Sequence, residues 1–183
     1  MKANYEDLAK TAEESGFTNF APMDVNKLEF LQEIRDMCNA QQCKNYDTSW
    51  SCPPACAPIE DMQLSVKKYT KGILVQTVGD LEDSFDWDGI METGARHKIN
   101  FRKMREVLNR SFSDLMALGA GECKVCETCT YPDKPCRYPD KMETSMEACG
   151  LFVSRVCTDN DLAYNYGPDK IAFTSCFLLK EEC

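Results

Sequence analysis

Four cysteines crowd one short stretch, "CKVCETCTYPDKPC", residues 123–136. Cys123, Cys126 and Cys129 follow at strict three-residue spacing, and Cys136 comes directly after Pro135. A second group, Cys38, Cys43, Cys52 and Cys56, lies in "CNAQQCKNYDTSWSCPPAC". Thiols at this density serve disulfides, zinc or an iron–sulfur cluster.

Disulfides fit poorly. Cys123, Cys126 and Cys129 stand too close to pair with one another, and cysteine knots belong to small secreted chains without a core. A chain of 183 residues buries a core unaided. Zinc takes four ligands in a tetrahedron. Cys123 with Cys126 makes one knuckle, Cys52 with Cys56 another, and Cys129 with Cys136 a loose one. His97 is the only histidine, so a zinc site would be nearly all thiolate. The Cys-x2-Cys-x2-Cys triad favours iron–sulfur, because that spacing wraps three corners of a 4Fe–4S cube. Cys136 can close the cube locally. Gly119 and Gly121 let backbone amides approach the sulfurs. The first group is less regular and reads either as a metal-free lobe or as the seat of a second cluster, the latter being favoured. Cys52-Pro53 is similar to the Cys-Pro that ends ferredoxin loops, where that cysteine serves the other cluster. Cys52 and Cys136 are thus candidates to cross between the groups, and the pairing of sulfurs with centres stays open.

Of the remaining cysteines, Cys149 is the best spare ligand, Cys157 and Cys176 sit among apolar residues and read as core, and terminal Cys183 reads as exposed. The start, "MKANYEDLAK", carries no signal-peptide pattern, so a reducing, cytoplasmic setting is expected. No apolar run is long enough to span a bilayer, so no membrane is expected. The net charge of −9 disfavours nucleic acid.

Helices and short strands must position these loops. A helix is expected over 5–15, capped by Gly16, with "FTNFAPM" extended after it. Asp24 opens a helix over 24–38, with Val25, Leu28, Leu31 and Ile34 at helical steps. Residues 59–69 read as helix, 72–78 as a buried strand, and 93–118 as a long helix with Phe101, Met104, Leu108, Phe112 and Leu115 in its stripe. "SMEACGLFVSRVC" starts as helix, with a strand as the alternative for part of it. "LAYNYGPDKIAFTSCFLL" reads as a β-hairpin turning at Gly167-Pro168-Asp169. The expectation is one α/β or α+β domain over 1–183: a small mixed sheet, packed helices, and two cysteine-rich metal-binding loops at 38–56 and 123–136.

The long helix is basic, through Arg96, Lys98, Arg102, Lys103, Arg105 and Arg110. Such a run is ordinarily a solvated face, with His97 on it; the sharper reading is a docking patch. Asp86, Asp88 and Gly89 resemble part of a calcium loop, but Ala95 stands where its closing Glu belongs, so those carboxylates belong instead to a helix N-terminus. Trp87 marks a contact surface. No phosphate loop, dinucleotide fingerprint or Ser–His–Asp set is present.

Two patterns together resemble a family catalogued as predicted metal-binding proteins, a domain of unknown function. They are C-x4-C-x2-Y-x3-W-x-C-P-P (Cys38, Cys43, Tyr46, Trp50, Cys52, Pro53, Pro54) and L-G-A-G-x-C-x2-C-x2-C-x6-C-R-x-P (Leu118 to Pro139). The resemblance spans residues 25–180, through "SMEACG" and the final hairpin. It implies metal binding by Cys38, Cys43 and Cys52 and by Cys123, Cys126, Cys129 and Cys136, with iron–sulfur as the centre, and no established reaction. Cys56 is not part of the family's motif. A three-cysteine site would leave an open iron or recruit a fourth ligand such as Cys149. The resulting expectation is an iron–sulfur protein with one or two 4Fe–4S clusters, transferring single electrons to a redox partner protein. The alternatives are an enzyme using an open-site cluster, or a zinc-stabilised interaction module.

Overall fold

The computed structural model describes residues 4–180, so Cys183 lies outside the described residues. Four strands, β1 (Asn19–Met23), β2 (Lys71–Asp80), β3 (Leu115–Leu118) and β4 (Lys170–Leu179), form one sheet in the order β1-β2-β4-β3. All three pairings are antiparallel. β2 and β4 pair along their whole length, from Lys71 opposite Leu179 to Asp80 opposite Lys170.

Both faces of β2 are covered, which explains why its sequence runs apolar without alternating. On one face Ile73, Val75, Phe177 and Leu179 pack under α1 (Tyr5–Ser15) and α4 (Trp87–Ser111). Phe101 of α4 stacks on Phe177 with ring centres 5.0 Å apart. On the other face Leu74, Cys176 and Leu178 meet Met146, Cys149, Leu151 and α5 (Val153–Thr158), with Val66 of α3 (Ile59–Val66) at the margin. The expected sheet with packed helices and cysteine-rich loops is thus present.

α1 matches its expected bounds. Gly16 closes it at φ +102°, and a Cβ there would lie 2.8 Å from the Asn100 side chain. The expected helix over 24–38 is broken. Asp24 caps only a 3-10 turn, Val25–Lys27, and Phe30 then forms a bridge with Leu151. Helix resumes briefly as α2 (Gln32–Asp36). Leu28 and Phe30 pack against the core that holds Leu74, Leu151 and Leu178, and extended backbone is what lets them reach it.

The long helix begins and ends earlier than 93–118. Asp86 starts it by accepting the Gly89 amide at 2.9 Å, and it stops at Ser111. Leu115 to Leu118 pairs instead with the open edge of β4, from Leu179 to Cys176. The hairpin is also corrected: only residues 170–179 are strand. With β2 on one side of β4 and β3 on the other, no edge remains for a hairpin partner. Gln76 holds the preceding stretch instead, donating to Ala163 O at 2.9 Å and accepting from the Tyr166 hydroxyl at 2.7 Å. The turn itself stands, with Gly167 at φ +107°.

His97 is not on the surface. It is 1% exposed, with Nδ1 3.0 Å from Thr77 Oγ1 and Nε2 2.7 Å from Ser175 Oγ. Burial pulls its pKa down to about 3, with the neighbouring Lys98 charge acting the same way.

Candidate metal centre

The second cysteine group is carried on a loop whose ends meet. Gly119, just past β3, donates to Thr144 O at 2.8 Å and accepts from the Met146 amide at 3.0 Å. It pairs in parallel with Ser145. Within the loop, Cys123, Cys126, Cys129 and Cys136 line one cavity of about 170 Å³. Asn45, Thr48, Ser49, Trp50 and Ser51, from the loop of the first group, form its opposite wall. Each cysteine loop is therefore part of the other's surroundings.

Polar and aromatic contacts clamp the two loops together. Trp50 Nε1 donates to Lys134 O at 3.0 Å, and its ring meets Tyr131 edge-on at 5.0 Å. Tyr131 donates its hydroxyl to Asp47, and Asn45 donates to Glu122 at 2.5 Å. A second, mostly apolar cavity of about 420 Å³ lies between the groups, walled by Trp50, Ala55, Cys56, Pro132, Pro135 and Cys136 among others. Cys136 lines both cavities and Cys52 neither, so of the two crossover candidates only Cys136 faces both groups.

The surroundings of Cys123 suit a negative sulfur. The backbone amides of Val125 and Glu143 donate to it. Burial raises the thiol above its usual range, while these amides and the Lys98 charge act against that rise. Lys98, Arg102 and Arg105 are not a solvated face, as the sequence reading had it: all three turn toward this loop. Lys98 donates to Ala120 O at 3.0 Å and Glu122 O at 2.5 Å. Arg105 donates to Met142 O at 3.1 Å and Asp140 O at 2.5 Å. Arg102 forks onto the buried Glu143. Each of the three cations lies within electrostatic reach of Cys123. Arg96, Lys103 and Arg110 remain exposed, as expected of them.

In the first group Cys52 and Cys56 are buried, and Cys38 and Cys43 half-buried. Burial pushes the Cys38 thiol up to about 11, and Cys43, Glu147, Cys52 and Cys56 add to the rise. All four thiols of the group, with the Glu147 carboxylate, thus share one electrostatic neighbourhood, and Cys56 belongs to it. Arg35 fastens this lobe. It donates to Ala57 O at 2.7 Å, Ala148 O at 2.6 Å and Cys56 O at 3.1 Å. Burial raises the Cys56 thiol and Arg35 opposes that rise. The sequence reading overlooked Arg35 and Glu147; the one available signal was that Glu147 stands inside "SMEACG". Cys149, Cys157 and Cys176 are fully buried core residues, and Cys149 lies close to Cys56.

Among the described residues, no three His, Cys, Asp or Glu side chains converge at single-ion distance. The donor set is nonetheless thiol-rich, lined by amides and faced by cations, which suits a thiolate-bound centre. A family model described as "Predicted metal-binding protein (DUF2284)" matches residues 21–179. The chain belongs to this family. No curated protein and no solved structure matches it. As a member of this metal-binding family, the chain has its two cysteine loops inside the matched region. No helix among the described residues is long and apolar enough to cross a membrane.

Proposed function

We propose that this chain is a cytoplasmic iron–sulfur protein that passes single electrons to a partner enzyme. In this reading Cys123, Cys126, Cys129 and Cys136 hold one 4Fe–4S cluster, and Cys38, Cys43, Cys52 and Cys56 hold a second. The observation that carries the reading is the common cavity of the second group, with four thiols on its wall and two amides donating to Cys123. The three-residue spacing of Cys123, Cys126 and Cys129 favours a cube over a single zinc ion.

A bound cluster supplies reversible one-electron storage. The residues of the chain do the rest. The amides of Val125 and Glu143 hold the Cys123 sulfur in place and stabilise its negative charge. Lys98, Arg102 and Arg105 offset the charge gained on reduction. Trp50 and Tyr131 close one loop over the other and limit water at the thiols. The net charge of −9 suits steering toward a partner with a basic face.

Strictly anaerobic purification, with iron, zinc and sulfide analysis and a visible spectrum before and after dithionite, tests the proposal. About eight iron and eight sulfide, with a band near 400 nm that bleaches, is the expected result. About four of each confines the cluster to one group and returns the other to a structural role. Stoichiometric zinc without sulfide overturns the proposal and leaves a zinc-stabilised interaction module.

A further inference from the structure

Helix α4 carries an apolar stripe that no described residue covers. Trp87, Met91, Ala95 and Ile99 recur every fourth residue on its outer side. Trp87 is 63% exposed, Met91 55% and Ile99 66%. Large apolar side chains gathered this way on a soluble face mark an interaction site. Beside the stripe runs a groove of about 400 Å³, lined by Lys98, Ile99, Arg102, Gly121, Lys124 and Phe173 among others. Gly121 leaves it open: a Cβ there would meet nothing within 4 Å.

The charges along the helix select the occupant. Asp88 and Glu92 flank the first half of the stripe, and Arg96 the second, all of them exposed. A helix that is acidic, then basic, complements its own sequence run in the opposite direction. We infer that this face binds a second copy of the chain, with the two α4 helices antiparallel about a two-fold axis beside Ala95. Met91 then lies on Ile99 of the second copy, and Glu92 meets Arg96 of the second copy, each contact occurring twice, as an isologous interface requires. Ala95 on the axis is small enough for close approach. Ridges of every fourth residue pack in the commonest helix-crossing class. The groove receives Trp87 of the second copy, against Ile99 and Phe173. Antiparallel helix dipoles favour the same arrangement.

One helix pair with a groove contact is at the small end of specific interfaces, so association in the micromolar range is expected. Sedimentation velocity of the full, metal-loaded chain from roughly 1 to 100 µM tests it. The expected result is a concentration-dependent doubling of mass that Ile99→Asp abolishes. Glu92→Arg and Arg96→Glu each weaken association about tenfold, and the two together restore it, because the pair is re-formed with its sign reversed. A chain that stays monomeric throughout overturns the inference. So does a dimer that none of these variants alters, or one that the combined reversal fails to restore. Metal content has no part in this readout, so the result stands apart from the iron–sulfur proposal.

Discussion

Arg102 grips Glu143 immediately behind Cys123: Nε donates to Oε1 at 2.5 Å, and Nη2 to Oε2 at 3.1 Å. The backbone amide of the same Glu143 donates to the Cys123 thiol. One residue therefore anchors the helix through its side chain and the sulfur through its main chain. The Glu143 side chain is 3% exposed while that of Arg102 is 42% exposed, so the loss of Arg102 leaves a carboxylate in a dry site. Arg102→Leu should lower stability by about 2 kcal/mol, below the full cost of breaking a buried pair because the arginine is partly solvated. The urea midpoint of the full chain measures this.

His97 gives the fold an acid-sensitive component. Its native pKa is pulled down to about 3, below the ordinary value of about 6.5. Above about pH 6.5 neither the native nor the unfolded chain binds this proton, and the contribution of neutral His97 is complete. As the pH falls from there toward 3, the unfolded state alone takes the proton and stability drops by ~1.4 kcal/mol per unit. His97 is the only histidine, so its ring resonances should hold their neutral shifts down to about pH 4. A ring that titrates near its ordinary value would contradict the burial described here.

The Trp50 clamp should matter more to the metal than to the sheet. Trp50→Phe removes the bond to Lys134 O and keeps a ring against Tyr131. Global stability should fall by about 1 kcal/mol, the net worth of one hydrogen bond. Release of metal to a chelator should speed up several-fold, since two loops are held by that contact. Equal release rates in the two proteins would remove Trp50 from the clamp.

Under the iron–sulfur reading, the α4 cations set the potential. Lys98→Gln removes a positive charge facing Cys123 while retaining a donor for Ala120 O or Glu122 O. The reduced centre, being more negative, loses more than the oxidised one, so the midpoint should move down by some tens of millivolts. Redox titration of the reconstituted protein reads this, and a midpoint that rises would refute the assigned role.

Cysteine reactivity should divide the chain in two. Cys149, Cys157 and Cys176 are fully buried, and burial raises all three thiols, Cys176 to about 12. In native, metal-free protein they should resist alkylation, while Cys43, Cys126 and Cys129, at half-buried positions, react readily. Peptide mapping after brief alkylation distinguishes the sets.

The cysteine loops were legible because their spacing is local chemistry, and so was β2, whose apolar run no helix period explains. What escaped the sequence depended on distant partners. Leu115 and Phe112 continue the helical stripe of Leu108, but an unpaired β4 edge outbids one more helical turn. Leu28 and Leu31 share a helical period with Val25, yet the bridge from Phe30 to Leu151 draws that segment straight. Lys98, Arg102 and Arg105 looked like solvent-facing charge because nothing in α4 itself announces the loop that folds over it. His97 was misjudged for the same reason: Thr77 and Ser175, which satisfy it, come from β2 and β4, distant in sequence from α4.

The paired ends at Gly119 and Ser145 have a consequence for how this protein matures. The chain leaves the sheet, traces the second cysteine loop and returns beside its point of departure. The barrier to rebuilding that excursion is local, since the core strands on either side need not part. On that geometry metal is expected to enter, leave or exchange after the body has folded, so that assembly need not wait on the ribosome.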